Sequence, residues 1–473
     1  MKIATFAKEM PVKIAHCHFF TNFDKIHATK NTTMLKRKFY DTLLHWKESH
    51  RKEGLLVKGA RQIGKTFIID RFARDNYASY LYINFIDTPE HREIFSGSIK
   101  ADDIFRKLSG SFFDFRIVPG NTVIFLDEIQ NCPRARTAIK PLAIDGRVDV
   151  ICSGSLLGLT FLNDEFRQER QEESVPVGYE RQMTMHSLDF EEYLWAVGFR
   201  AELIDNLREA FQKLTPLERV IHDRMEGLFR DYLAVGGMPE VVNSFLAENS
   251  FSSAYKLQEK IIHSNLDDIA KYAPTAEKPK IRSCYLSLPR HLARENTKFK
   301  YSDVAPGGSF RKFGNSIDWL CESSLAYRCF NLEQPTLPLN VYHKFDCFKL
   351  YASDIGTLTG MMGFDAKRAI INDTLEKFAK CGIYENAIMC QLVRNGHHPA
   401  YFMPRANIAE IDFFIESNDG VVPIEVKAKR GSTTSFDAQL ERPEVPYGYK
   451  FTAGNIGKAG KKITLPHYMS MFI

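Results

Sequence analysis

Residues 59–66 read Gly59-Ala60-Arg61-Gln62-Ile63-Gly64-Lys65-Thr66, which fits the P-loop pattern G-x-x-x-x-G-K-[ST] without a gap. The flanks fit as well. Gly54-Leu55-Leu56-Val57-Lys58 is a short apolar run suited to a buried strand, and residues 66–72 carry the apolar spacing of a helix opening on Lys65 and Thr66. A Gly-rich turn that matched the pattern by chance would have neither flank. Gly59 and Gly64 allow backbone angles and close approach that a side chain blocks. The N–H groups from Gly59 through Thr66, with Ala60, Arg61, Gln62 and Ile63 between, then form an anion nest at the positive end of the helix. In this reading Lys65 reaches the β- and γ-phosphates of ATP, and Thr66 offers its hydroxyl to Mg2+.

About sixty residues later, Thr122-Val123-Ile124-Phe125-Leu126 ends in Asp127-Glu128. A continuous apolar run of this length reads as a strand buried on both faces, as in a parallel α/β sheet. Ligands of such sheets bind at the carboxyl ends of the strands, so both acids are expected beside the P-loop. Asp127 takes the Walker B position for Mg2+, and Glu128 is placed to orient or deprotonate the attacking water.

At 473 residues the chain exceeds one ordinary core and suggests about three domains. Its 44% hydrophobic and 26% charged residues are those of a soluble globular protein. No run approaches the ~18 apolar residues of a membrane span, and charged residues interrupt the first twenty positions, so no secretory signal is read. The nine cysteines form no C-x-x-C pair and are odd in number, which argues against a disulfide framework and for the cytoplasm. A net charge of +5 permits a nucleic-acid partner without implying one. Residues 1–33 are polar and without periodicity, and read as a disordered tail, with an upstream start codon as one origin. His16-Cys17-His18 within it lacks the spacing of a zinc site.

These motifs resemble the bacterial and archaeal AAA-type ATPases that carry a C-terminal domain of unknown function. That family's P-loop commonly reads G-A-R-Q-x-G-K-T, and its Walker B stretch ends D-E-I-Q, as in Asp127-Glu128-Ile129-Gln130. Val150-Ile151-Cys152-Ser153-Gly154-Ser155 resembles the family's sensor strand, with the Ser153 hydroxyl where Thr is usual to probe the γ-phosphate. Arg181 through Leu194 resembles its G-R…L-x-P-L-S-F-x-E-F-L signature, with Glu180 in place of Gly and Ser187-Leu188-Asp189 in place of P-L-S. Gly236-Gly237-Met238-Pro239-Glu240-Val241-Val242 resembles G-G-Y-P-E-V-V; here it reads as a helix end followed by a Pro-led helix, with no chemistry assigned. For Arg181 two readings stand: a cation at the γ-phosphate, contributed by a neighbouring subunit of a homo-oligomer, or a structural ion pair.

The resemblance implies an α/β protein with an AAA-type core of parallel sheet (34–198), a helical lid (199–279), a winged-helix region (280–360) and a restriction-endonuclease-like α/β domain (361–473). In the winged helix, residues 286–292 and 301–305 would form the first two helices and Phe313, Ile317 and Leu320 the inner face of the third. Arg311, Lys312 and Asn315 would then face a DNA groove, or be an ordinary solvated face if the unit serves only packing. In the last domain Glu385, Asp412 and Glu425 with Lys427 form an ordered E…D…E-x-K set of the PD-(D/E)xK kind. Strand alternation puts Glu425 and Lys427 on one face. The carboxylates would hold Mg2+ and Lys427 would steady the water or the developing charge. Such folds also lose chemistry and keep binding, so two functions remain: an ATPase acting on DNA, or an ATP-gated module that binds a protein partner through an inert C-terminal domain.

Overall fold

The structure, a computed structural model, describes residues 34–49, 53–154, 176–404, 410–428 and 433–473. The expected tail, 1–33, and Ser155 of the sensor segment lie outside the described residues. Both motifs stand on one sheet. Strands β1 (Gly54–Lys58), β2 (Ser79–Asn84), β3 (Thr122–Asp127), β4 (Asp149–Ser153) and β5 (Glu180–Thr184) pair in the order β2-β3-β4-β1-β5, every pair parallel. Successive side chains point to opposite faces, and both faces are packed. Leu55, Val57 and Phe125 meet Leu43 of α1 (Lys38–Glu48) and Ile69 and Phe72 of α2 (Lys65–Asn76). On the other face Leu56, Ile124 and Leu126 join Ile104, Leu108 and Ile139. The register sets Leu126 of β3 and Leu56 of β1 on either side of Cys152. The carboxyl ends of β1, β3 and β4 therefore coincide, and the P-loop leaves the sheet beside Asp127 and Ser153.

A capping box starts α3 (Phe190–Ala196): Asp189 accepts from the Glu192 N–H (2.8 Å), and Glu192 accepts from the Asp189 N–H (3.1 Å). Four helices follow: α4 (Ala201–Lys213), α5 (Arg219–Val235), α6 (Pro239–Glu248) and α7 (Phe251–Tyr272). Gly236, at φ 79°, ends α5, and Pro239 leads α6. A side chain on Gly237 would meet the Leu188 carbonyl oxygen at 2.1 Å, so this pair locks the helix turn onto the ATPase-like core.

The expected first helix at 286–292 is instead two, α8 (Lys278–Leu286) and α9 (Leu288–Leu292), because Pro289 opens a new first turn. Helices α10 (Tyr301–Val304) and α11 (Phe310–Glu322) follow. Phe313, Ile317 and Leu320 are buried, and Arg311, Lys312 and Asn315 are exposed. Next, β6 (Ala326–Leu332) and β7 (His343–Ala352) pair antiparallel, and they continue into the last domain. With β8 (Ala400–Phe402), β9 (Ile411–Ser417), β10 (Gly420–Val426), β11 (Gly448–Thr452), β12 (Gly457–Ala459) and β13 (Lys462–Pro466) they form one eight-stranded mixed sheet, β12-β13-β11-β10-β9-β8-β6-β7. The boundary expected at 360/361 thus divides one sheet. Helix α12 (Lys377–Arg394) packs on it with an almost wholly buried central stretch. One apolar core runs from the first sheet through the lid to the second; Phe229 of α5 lies 5.0 Å from the Phe190 ring and 6.1 Å from that of Tyr384.

Candidate nucleotide site and a buried charge cluster

The P-loop backbone takes the angles its sequence demands. Gly59 has φ 151°, and a side chain there would meet the Met185 carbonyl oxygen at 2.3 Å; Gly64 has φ 90° and caps α2. The Lys65 amine donates to the Gly59 (3.0 Å) and Ala60 (2.8 Å) carbonyl oxygens. Burial pushes its pKa down to about 8, with Glu128 and Asp127 opposing. Behind it Asp127 is buried among donors. Its Oδ2 accepts from the Thr66 hydroxyl (2.8 Å) and Tyr82 OH (3.1 Å), and its Oδ1 accepts from the Glu128 N–H (3.0 Å) and the Ser153 hydroxyl. The Thr66 and Asp127 oxygens are hard donors in mutual contact, so they fit a Mg2+ ion held partly through water. Glu128 sits at φ 54°, takes a hydrogen bond from the Gln130 side-chain amide, and has its pKa raised by burial and by Asp127.

A cavity of about 420 Å³ opens over the loop. Met34, Leu35 and Arg37 wall one side, Arg61, Gln62, Gly64 to Ile68 and Glu128 the floor, and Pro239, Glu240 and Asn243 of α6 the other side. Arg37 is buried and holds three elements together: it donates to Glu192 Oε1 (3.1 Å), the Ile63 carbonyl (2.9 Å) and the His186 carbonyl (2.6 Å). Arg181 stands elsewhere. It pairs in register with Leu55, toward the amino end of the edge strand β5, and donates to Glu53 Oε2 at 3.0 Å. The strand directions put that end of the sheet opposite the P-loop of its own chain.

The C-terminal residues do gather, around a centre that differs from the expected metal set. Lys349 of β7, fully buried, has its amine 3.3 Å from Glu385 Oε2, 4.0 Å from Asp412 Oδ1 and in contact with Glu410. Tyr351 OH also donates to Glu385 (3.2 Å), and the Val426 N–H donates to Asp412 (2.7 Å). Glu425 instead pairs with Lys427. Burial opposes the Lys349 charge, but Glu385 and Glu410 outweigh it and raise its pKa. Burial and Asp412 push Glu425 up to about 8, against the pull of Lys427. Glu385, Asp412 and Glu425 were expected to share a divalent cation. Among the described residues no cluster of three or more His, Cys, Asp and Glu has a metal-holding arrangement, and an ammonium lies where Glu385, Glu410 and Asp412 converge.

Residues 51–194 match the family model described as AAA domain. The core is an AAA-type P-loop domain. Residues 226–368 and 380–464 match two models described as domains of unknown function, DUF8612 and DUF4143. No curated protein matches. Among solved structures, the Walker-type ATPase PABY2304 of Pyrococcus abyssi is similar at 14% identity and a TM-score of 0.39, over 71% of this chain and 97% of that one. No helix among the described residues is long and apolar enough to cross a membrane.

Sequence reasoning missed Arg37, Lys349 and Glu410, and missed that α6 walls the AAA-type site. One signal was available: Phe348-Lys349-Leu350-Tyr351 puts a lysine in an apolar strand, where an unpaired charge is costly. Arg37 carried no comparable signal, since its partners come from three distant segments.

Proposed function

We propose that the protein is an ATPase switch: the AAA-type core binds and hydrolyses ATP with Mg2+, and the lid and C-terminal sheet present that cycle to a partner without cutting it. The observation that supports this most is Lys65, a half-buried amine with carbonyl partners facing a cavity of about 420 Å³. A phosphate is the group such an amine lacks. Leu35, Ile68 and Pro239 supply apolar walls for a base, and Glu128 is the group to take the proton of the attacking water. Thr66 and Asp127 would hold Mg2+, which neutralises charge between the β- and γ-phosphates. The inert reading of the C-terminal domain rests on Lys349, whose ammonium stands at the point on which Glu385 and Glu410 converge.

A second reading, with DNA as the partner, rests on the exposed Arg311, Lys312 and Asn315 of α11. ATP turnover with and without duplex DNA tests both. A salt-sensitive rise in rate supports DNA, and an unchanged rate supports a protein partner. Incubation of single- and double-stranded DNA with Mg2+ or Mn2+ should leave it uncut; cleavage lost in Asp412→Ala would reverse the inert assignment.

A further inference from the structure

The P-loop also carries a charged side chain that its backbone role does not require. The Arg61 guanidinium reaches up to the lid, donating from one terminal nitrogen to Asp268 Oδ1 (2.6 Å) and from the other to Tyr272 OH (2.7 Å), both on α7. Its plane lies 4.9 Å from the Tyr272 ring centre. A guanidinium has five N–H groups, so this tether leaves donors over, and among the described residues the Nε–H has no partner. Arg61 lines the cavity with Lys65, Thr66 and Glu128. Its charge acts on both the Lys65 amine and the Glu128 carboxylate. Arg181, by contrast, lies at the opposite end of the sheet, paired with Glu53 and outside the lining of this cavity.

We propose that Arg61 is the arginine that stabilises the γ-phosphoryl transition state, acting within its own chain, and that Asp268 and Tyr272 are positioning residues that aim it from the lid. This rests on the ATPase reading above. In the step served, the oxygen of water bonds to the γ-phosphorus as the bond to the β,γ-bridging oxygen breaks. The electron pair leaves on ADP, and the water proton passes to Glu128 and on to solvent. Charge grows on the γ-phosphoryl and bridging oxygens, where a fork of fixed N–H donors gives most when it needs no rearrangement. Because the aiming groups belong to α7, catalysis is tied to the position of the lid.

The test uses the full chain and three readouts: ATP affinity, single-turnover rate, and affinity for ADP with aluminium fluoride, which imitates the transition state. Arg61→Ala should slow turnover by about 10³-fold, the low end for such arginines. Its ATP affinity should stay within about threefold while the aluminium fluoride complex weakens in step with the rate, the mark of a contact made only in the transition state. Arg61→Lys should not restore the rate, since an ammonium lacks the fork. Asp268→Asn and Tyr272→Phe should lower the rate by about tenfold each and weaken the aluminium fluoride complex equally, which loss of stability alone would not do. A mixture of Arg61→Ala and Lys65→Ala chains should stay inactive. Recovery in the mixture would overturn the assignment within one chain. Arg61→Ala turning over within threefold of wild type, or weakening ATP and aluminium fluoride complexes alike, would overturn the assignment itself. The control is Lys65→Ala: if it hydrolyses ATP as wild type does, the ATPase reading falls too, whereas an inactive Lys65→Ala beside an unimpaired Arg61→Ala removes only this inference.

Discussion

The P-loop and the C-terminal cluster both set a lysine beside buried carboxylates, half-buried in the first and fully buried in the second, yet they are left in opposite states. At the P-loop, Lys65 meets carbonyl oxygens, Asp127 is surrounded by neutral donors, and a cavity stands between the cation and the lid. Around Lys349, the ammonium is fully buried and three carboxylates converge on it. An amine that meets only carbonyl oxygens beside a cavity keeps hydrogen-bonding capacity for a ligand. An ammonium enclosed by several carboxylates is costly to remove. On the proposed function, the same residue types bind a ligand in one region and hold the fold together in the other.

The widest break in that contrast should come from Lys65→Ala and Glu128→Gln. The first should lose nucleotide binding and turnover together, and the second should bind ATP while its turnover falls below about one-thousandth, since only water activation is removed. Binding followed by fluorescence beside a phosphate-release assay separates the two, and full-rate hydrolysis by either would end the comparison. Next in size is Lys349→Met. Removing one partner of a buried ion cluster costs about 3–5 kcal/mol, so denaturant unfolding should show a large loss in midpoint with the slope unchanged. If that variant is as stable as wild type, the cluster is not the structural element described.

A smaller effect sharpens the account of Lys65. With its pKa held near 8 by burial, a share of the amine is neutral at pH 9, and phosphate oxygens will favour its charged form. ATP binding at pH 9 should therefore take up a fraction of a proton, and that uptake should vanish at pH 6.5, where the amine is already charged. Calorimetry in buffers of different ionisation enthalpy reads this directly, and the same uptake in Lys65→Arg would assign it to another group. The smallest effect is expected from Arg181→Ala. Its pairing with Glu53 is partly exposed, and such pairs contribute about 0–1 kcal/mol. Turnover per chain should stay close to wild type, and a drop of tenfold or more would restore Arg181 as a catalytic contributor from a neighbouring chain.

Much of the core was legible in advance because its chemistry is local. Residues 59–66 are contiguous, so one glycine-bounded turn carries the whole P-loop; apolar runs located β1 and β3 within a residue, and the resemblance to a sensor strand pointed to β4. The Pro239 helix start was legible for the same reason. Less local features were read in part: Glu385 and Asp412 do approach one another, but the group between them comes from β7, outside the expected domain. Its strand had been assigned to a different unit, and the pairing of β6 with both β7 and β8 joins the two in one sheet.

By itself, then, the sequence determined the P-loop turn, the acid at the end of β3 and the parallel sheet beneath them, since each depends on neighbouring residues and a fixed backbone period. Tertiary structure decided which charges remain free. Arg61 meets Asp268 across 207 residues, Arg37 meets Glu192 across 155, and Lys349 meets Glu385 across 36. Whether a buried charge is answered or left waiting depends on what the fold sets within about 4 Å of it, and no periodicity along the chain encodes that distance.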